Sequence, residues 1–406
     1  MDTLGRYYTT DVFSKLLVSQ FQLNNPRTVL ELGVGQGSLI KAAIDRWIAA
    51  SYYVTDVDKR SLARIQKELP FINSFHLDTI KEDISKKLNL SDGCIDVAIC
   101  NPPYIRISRR MEFENLFERA HLKNCNQLKT ITSDVVFLAK NLQLLRNSGE
   151  LGIILPDTLI TGAEFSILRE SILQEHFITA IVQLPERIFP KTEALTHMVL
   201  IRKKSSSNQV TTPLFLANSN GELIDQIQVS TSSLVHRMDF KFHKWNSKKS
   251  EMRTVLSLKS IGAEIRRGTL THTDLKRSGD QYIHTTTIEH LNSKQEFPSS
   301  DINNEKYLIA KKGDILLSRV GRGCIGKVCM VGAASTALTD CIYRIRVSRK
   351  YRRMVWQSLT SETGQKWMQA NCHGVCAKVI SKKDLLDFPL ENEISENDNS
   401  SIRKTN

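Results

Sequence analysis

The chain has 406 residues, 41% apolar and 24% charged, with a net charge of +13. That is enough chain for two folded domains with sizeable cores, and no apolar run approaches the roughly 18 residues that cross a bilayer. The opening stretch MDTLGRYYTTDVF lacks the basic-then-apolar pattern of a secretory signal, so a cytoplasmic protein with no membrane partner is expected.

Charge is unevenly placed. Residues 246–406 hold 27 lysines and arginines against 17 acids, whereas residues 1–245 hold 29 against 26. A basic block of this size points to a polyanion, most often nucleic acid. The eight cysteines are scattered and form no CxxC pair. They read as reduced thiols rather than a zinc site, and no metal is expected.

From the N-terminus, short apolar runs alternate with helical patterns. TVLELGV (28–34), YYVTDV (52–57), IDVAICN (95–101), GELGIILP (149–156), ITAIVQLP (178–185) and THMVLIRKK (196–204) read as strands. Helical periodicity falls at 38–49, 60–69, 134–147 and 163–175. The rhythm predicts an α/β domain, a parallel sheet with helices on both faces. After a boundary placed near 236–256, strands are short and turns Gly-rich, as in KKGDILLSRVGRGCIGKVCMVG (311–332), and a helix is predicted over 352–371.

The chemistry gathers at strand ends. LELGVGQGSL places Glu31, Gly33, Gly35 and Gly37 where a strand hands over to a helix. Glycines there let the backbone turn tightly and approach a ligand. A carboxylate two residues before the first glycine suits a cationic amino group, such as the methionine part of S-adenosylmethionine, better than a pyrophosphate. Asp56 ends the next strand and is expected to bind a ribose diol; alternatively Asp56 or Asp58 caps the following helix. Asp78 falls where a third strand should end. It reads either as an acceptor for an adenine amine or as an ordinary loop aspartate.

ICNPPYI (99–105) is the sharpest signal. An exocyclic adenine amine is a poor nucleophile because its lone pair is delocalised into the ring. Two acceptors for its protons draw the nitrogen toward a tetrahedral shape. The Asn101 side-chain oxygen and the Pro102 carbonyl supply them. Pro102 and Pro103 stiffen the turn and remove competing N–H groups. Tyr104 offers a ring for stacking the base.

The ordered set GRYYTT, ELGVGQG, TDVD and NPPY resembles the gamma-class adenine-N6 DNA methyltransferases, and especially the modification subunits of type I restriction–modification systems. The resemblance covers roughly residues 1–245. It implies a Rossmann-like methyltransferase domain using S-adenosylmethionine, with Tyr8 and Thr9 closing over the cofactor, although Thr10 stands where the family commonly has Pro. It also implies that Phe189, in LPERIFPKT, covers the second face of a flipped base; a core phenylalanine is the alternative. YIHTTTIEHLN, AKKGDILLSRVG (310–321), IGKVCMVG and GVCAKVISKKDLLDFPL (374–390) resemble one target-recognition domain of type I specificity subunits over roughly 250–390, so residues 246–406 are expected to form a smaller mixed α+β target-recognition domain. Arg106, Arg109 and Arg110 after the NPPY turn read as phosphate contacts beside the flipped base, or as part of a solvated helix face. Arg319 and Arg322 read as further DNA contacts.

The resulting expectation is a site-specific DNA adenine-N6 methyltransferase acting on double-stranded DNA as a monomer or homodimer, with any cognate restriction endonuclease a separate protein. Two other readings stay open. An NPPY turn also serves enzymes that methylate a protein glutamine at N5, and the basic second half alone fits a non-catalytic DNA-binding protein.

Overall fold

The computed structural model describes residues 9–186, 188, 195–203, 209–249, 256–279, 281–299, 307–321, 323–374 and 378–390. The chain separates into two units, Met1–Lys244 with Gly374–Cys376, and Trp245–His373 with Ala377–Asn406.

In the first unit α1 (Asp11–Ser19) precedes a strict alternation: β1 (Thr28–Leu32), α2 (Ser38–Arg46), β2 (Ser51–Asp56), α3 (Lys59–Glu68), β3 (Asn73–His76), α4 (Ile84–Leu88) and β4 (Ile95–Cys100). β1 pairs in parallel with β2 and β4, and β2 with β3. Side chains alternate between two apolar cores, one per sheet face. Leu30, Leu32, Ala98 and Cys100 enter the core that holds Phe117 and Val135. Val29, Val54, Val97 and Ile99 enter the other, against Leu17, Ile40 and Ile65. Near-continuous burial of these strands is what a sheet covered on both faces requires.

Beyond β4 the chain forms the ribbon β5 (Arg106–Ile107), then α5 (Glu112–Arg119) and β6 (Ile131–Thr132), which pairs antiparallel with β5. The fully buried α6 (Ser133–Leu144) leads into β7 (Leu145–Pro156), which lies parallel to β4. Then come α7 (Asp157–Thr161), α8 (Ser166–Glu175), β8 (His176–Gln183), β9 (Thr196–Lys203), β10 (Thr211–Ala217), β11 (Leu223–Ser230) and α9 (Phe240–Lys249). The sheet order is β11-β10-β8-β9-β7-β4-β1-β2-β3.

Three features differ from the sequence expectation. β9 runs antiparallel to both β7 and β8, because a strand that returns directly beside its predecessor needs no crossover helix. β10 and β11 extend the sheet by two strands. They escaped notice because Pro213 interrupts the first and the second, at the sheet edge, is largely exposed. The helix expected over 134–147 stops at Leu144, and Ser148 adopts φ +61° within β7.

The second unit is a mixed α+β fold. Its strands are β12 (Glu264–Arg267), β13 (Tyr282–Ile283), β14 (Asn292–Ser299), β15 (Ile309–Lys311), β16 (Ile315–Ser318), β17 (Val328–Leu338) and β18 (Ile342–Arg346). They make a sheet in the order β12-β18-β16-β17-β13, with β14 and β15 also on β17. Its helices are α10 (His272–Ser278), α11 (Arg352–Thr360), α12 (Glu362–Asn371) and α13 (Lys382–Leu386). Ile315, Leu317 and Tyr343 pack with Val355, Leu359 and Trp367, while Leu316 and Ile342 face a separate core with Ile283 and Val331. The single helix expected over 352–371 is two, broken at Ser361, whose hydroxyl caps α12 by accepting from Gly364 N–H.

Among the described residues no helix is long and apolar enough to cross a membrane, and no cluster of His, Cys, Asp or Glu has metal-binding geometry.

Candidate active site

The carboxyl ends of β1, β2 and β4 open onto a cavity of about 420 Å³ lined by Thr9, Glu31, the 33–37 loop, Asp56, Asp78 and Asn101, and closed on another side by Ile105, Arg110 and Phe137. This is where parallel α/β sheets place ligands.

The glycine loop is shaped by backbone conformations other residues resist. Gly33, Gly35 and Gly37 have φ of +80°, +50° and +84°. A Cβ on Gly37 would stand 2.3 Å from Ile65 Cδ1. The N–H groups of Gly33 and Val34 both donate to the Thr55 carbonyl at 2.9 Å, tying the loop to β2.

Glu31 and Asp56 face this loop from adjacent strands. Glu31 is 2% exposed, and its Oε2 has no hydrogen-bond partner. Burial, then the Asp56 charge, raise its pKa well above the usual carboxylate range, against the pull of the Ile40 N–H. Such an orphaned acid is costly unless a cation or proton joins it. Asp56 accepts from Gly35 N–H at 2.7 Å and from Asp58 N–H at 2.8 Å. Asp58 itself caps α3 by accepting from Arg60 N–H. The two aspartates thus divide loop and helix-cap duties between them.

Asp78 lines the cavity, but its oxygens are engaged. It accepts from the N–H groups of Ile80 and Lys81 at 3.0 and 3.3 Å and pairs with Lys81 Nζ at 2.9 Å. Burial pushes its pKa up, and these partners more than offset that, leaving it below the usual range.

At the NPPY turn, Asn101 Nδ2 donates to Thr9 Oγ1 at 3.0 Å, and Asn101 Oδ1 accepts from the Tyr104 hydroxyl at 2.9 Å. That hydroxyl lies 3.2 Å from the Ile154 carbonyl as well. The amide is therefore held on both sides. Pro103 lines the cavity, whereas Pro102 is buried and neither it nor Tyr104 is a lining residue.

The remaining expected residues divide. Arg106 is exposed, Arg110 lines the cavity, and Arg109 donates to the Leu128 carbonyl. Arg319 donates from its guanidinium to the Asp340 carbonyl at 3.0 Å and lies 5.4 Å from the Tyr343 ring centroid. Tyr8, Phe189 and Arg322 lie outside the described residues.

Sequence reasoning missed Ser133 and Phe137. They stand four apart on one face of α6, with Phe137 in the cavity wall and the Ser133 hydroxyl bonded to the NPPY turn.

Fold and site together define an α/β protein whose strand-end cavity is built for a nucleoside-bearing cofactor, with an amide set at its rim. A family model described as N-6 DNA Methylase matches residues 2–290, and the chain belongs to that family. The methyl donor of the family is S-adenosylmethionine, and the site fits it: the glycine loop leaves room for close approach, and the unpartnered Glu31 oxygen awaits a cation.

The chain is 23% identical over 239 residues to the type I restriction enzyme MpnII methylase subunit of Mycoplasma pneumoniae, covering 54% of this chain and 44% of that protein. It is 24% identical over 230 residues to the type II methyltransferase M.BsuBI of Bacillus subtilis, covering 51% and 44%. The chain thus spans less than half the length of these relatives. Among solved structures, the type I restriction–modification methyltransferase subunit of Streptococcus thermophilus matches with a TM-score of 0.43 and 18% identity over 63% of this chain and 55% of that one. The type IIG restriction endonuclease BpuSI matches with a TM-score of 0.47 and 11% identity over 94% and 57%.

Proposed function

We propose that this chain is a site-specific DNA adenine-N6 methyltransferase of a restriction–modification or related system. The observation that carries the reading is Asn101, which lines the cavity with its amide held by Tyr104 and Thr9.

S-adenosylmethionine supplies an already activated methyl group. The 33–37 loop gives the cofactor its turn of backbone, Glu31 neutralises the amino group of its methionine part, and Asp56 faces its ribose. Asn101 Oδ1 accepts a hydrogen bond from one N–H of the target amine and the Pro102 carbonyl from the other, drawing the lone pair out of the ring. The N–CH3 bond would form as the S–CH3 bond breaks, S-adenosylhomocysteine would leave, and the amine would lose one proton to solvent. Tyr104 and Phe189 stack on the extruded adenine. The gain is chiefly one of positioning, and the flipping cost of a few kcal/mol is offset by stacking and protein contacts.

The domain assignment is 1–245 for methyl transfer and 246–406 for target recognition. Double-stranded DNA is the substrate, approached by Arg106, Arg110 and Arg322 and by the excess positive charge of the second half. The type I relatives support the presence of partner subunits, and any cognate endonuclease would be a separate protein.

Long-read sequencing of DNA from adenine-methylation-free cells expressing the chain tests the reading. Methylated adenines in one sequence context, absent with Asn101→Ala, are expected. Unmodified DNA, or label from tritiated cofactor entering protein instead, overturns it.

A further inference from the structure

The peptide planes on either side of Tyr104 are both tied to one buried hydroxyl. Ser133 is fully buried at the first position of α6. Its Oγ donates to the Pro103 carbonyl and accepts from Ile105 N–H at 3.1 Å. The Ser133 N–H in turn donates to the Ile105 carbonyl at 2.9 Å. The Pro103 carbonyl belongs to the peptide before Tyr104, and the Ile105 N–H to the peptide after it. Fixing both restrains φ and ψ at Tyr104 and so the direction of its Cα–Cβ bond, and the hydroxyl's bonds to Asn101 Oδ1 and the Ile154 carbonyl then hold the ring.

Tyr104 passes that constraint on, because its hydroxyl donates to Asn101 Oδ1. Prolines stiffen only positions 102 and 103 of the turn. The residue after them has no such restraint in its own chemistry, and Ser133, some thirty positions away, supplies it. α6 is a rigid platform for this, being buried along its whole length.

From this geometry we infer that Ser133 is a positioning residue for methyl transfer: it sets the Tyr104 ring and, through it, the acceptor oxygen of Asn101, without touching cofactor or base. The inference rests on the proposed methyltransferase reading. Its signature is a loss in turnover with little change in cofactor affinity, since a misdirected acceptor costs rate rather than binding.

The test uses the full chain, tritiated S-adenosylmethionine and genomic DNA free of adenine methylation. Ser133→Ala is expected to lower the rate at saturating cofactor and DNA about tenfold or more, with the cofactor Kd within twofold of the parent protein. Ser133→Thr, which keeps the oxygen, is expected within about threefold of the parent rate. In a Tyr104→Ala background, Ser133→Ala is expected to cost less than twofold, because the residue it acts through is gone. Three results overturn the inference: parent-like turnover in Ser133→Ala, loss of cofactor binding in step with rate, or an undiminished penalty in the Tyr104→Ala background. If the parent protein labels no DNA, the methyltransferase reading fails first and the role of Ser133 falls with it.

Discussion

Asn101 is held by two hydrogen bonds whose donor and acceptor come from opposite sides of the site, Tyr104 from within the turn and Thr9 from the N-terminal segment. Asn101→Ala removes an acceptor that the reaction strengthens as charge develops on the amine. Methyl transfer is expected to fall at least ~10²-fold, by analogy with the loss of one preorganised hydrogen-bonding group in an active site, while cofactor affinity measured by calorimetry changes little. Glu31 behaves oppositely. Its raised pKa means that its contribution to stability is full below the unfolded value of 4.5 and is lost as pH rises through its folded value. Glu31→Gln is therefore expected to raise the thermal midpoint of the cofactor-free protein at pH 8 and to weaken cofactor binding by ~10-fold, as loss of a charged hydrogen bond does. A stabilised variant with unchanged affinity would remove Glu31 from the cofactor site. NPPY and the glycine loop were legible as chemistry because each is contiguous. The engagement of Asp78 with Lys81 was half legible, since its partners are near neighbours. That of Arg319 was not, because Asp340 and Tyr343 lie on another strand and turn.

At the scale of elements, the start of α2 and the start of α6 carry the site. Gly37 caps α2 in a left-handed conformation with Ile65 packed against it. Gly37→Ala is expected to cost ~1–2 kcal/mol in denaturant unfolding, from backbone strain alone, and more if Ile65 cannot yield. At the start of α6, burial lifts the Asp134 pKa from 3.8 to about 6, against the hydrogen bonds it accepts from Thr132 and from Val135 N–H. Its stabilising contribution is full below 3.8 and lost as pH rises through about 6. Asp134→Asn can keep the acceptor without the buried charge, so it is expected to gain about 2–3 kcal/mol at pH 8 relative to pH 4. Urea unfolding at the two pH values reads this, and parallel curves for both proteins would contradict it. Short apolar runs, buried almost throughout, made β1, β2 and β4 readable, whereas Pro213 breaks β10 and the edge strand β11 is largely exposed.

Over the whole molecule, charge and chemistry are segregated in sequence. The excess positive charge falls mainly after residue 245, while the cavity is built by residues before it. Nucleic-acid binding by phosphate contacts releases counterions, and cofactor binding does not. The Kd for duplex DNA, followed by fluorescence anisotropy, is therefore expected to rise at least ~10-fold between 50 and 200 mM salt, with the cofactor Kd nearly constant over the same range. A DNA affinity insensitive to salt would leave the basic half without the role proposed for it.

The sequence by itself determined the α/β alternation, the glycine loop, the places of Glu31 and Asp56 at strand ends, and the NPPY turn. Each of these is written locally, as a short apolar run, a helical spacing or a contiguous motif. The tertiary structure alone decided that β9 runs backwards between β7 and β8, that Thr9 holds Asn101, and that Ser133 pins both sides of Tyr104. The last two depend on hydrogen bonds between residues 92 positions apart, for Thr9 and Asn101, and 28 and 30 apart, for Ser133 and the turn. No local pattern encodes such bonds, because only the packed sheet and the buried helix bring their ends together.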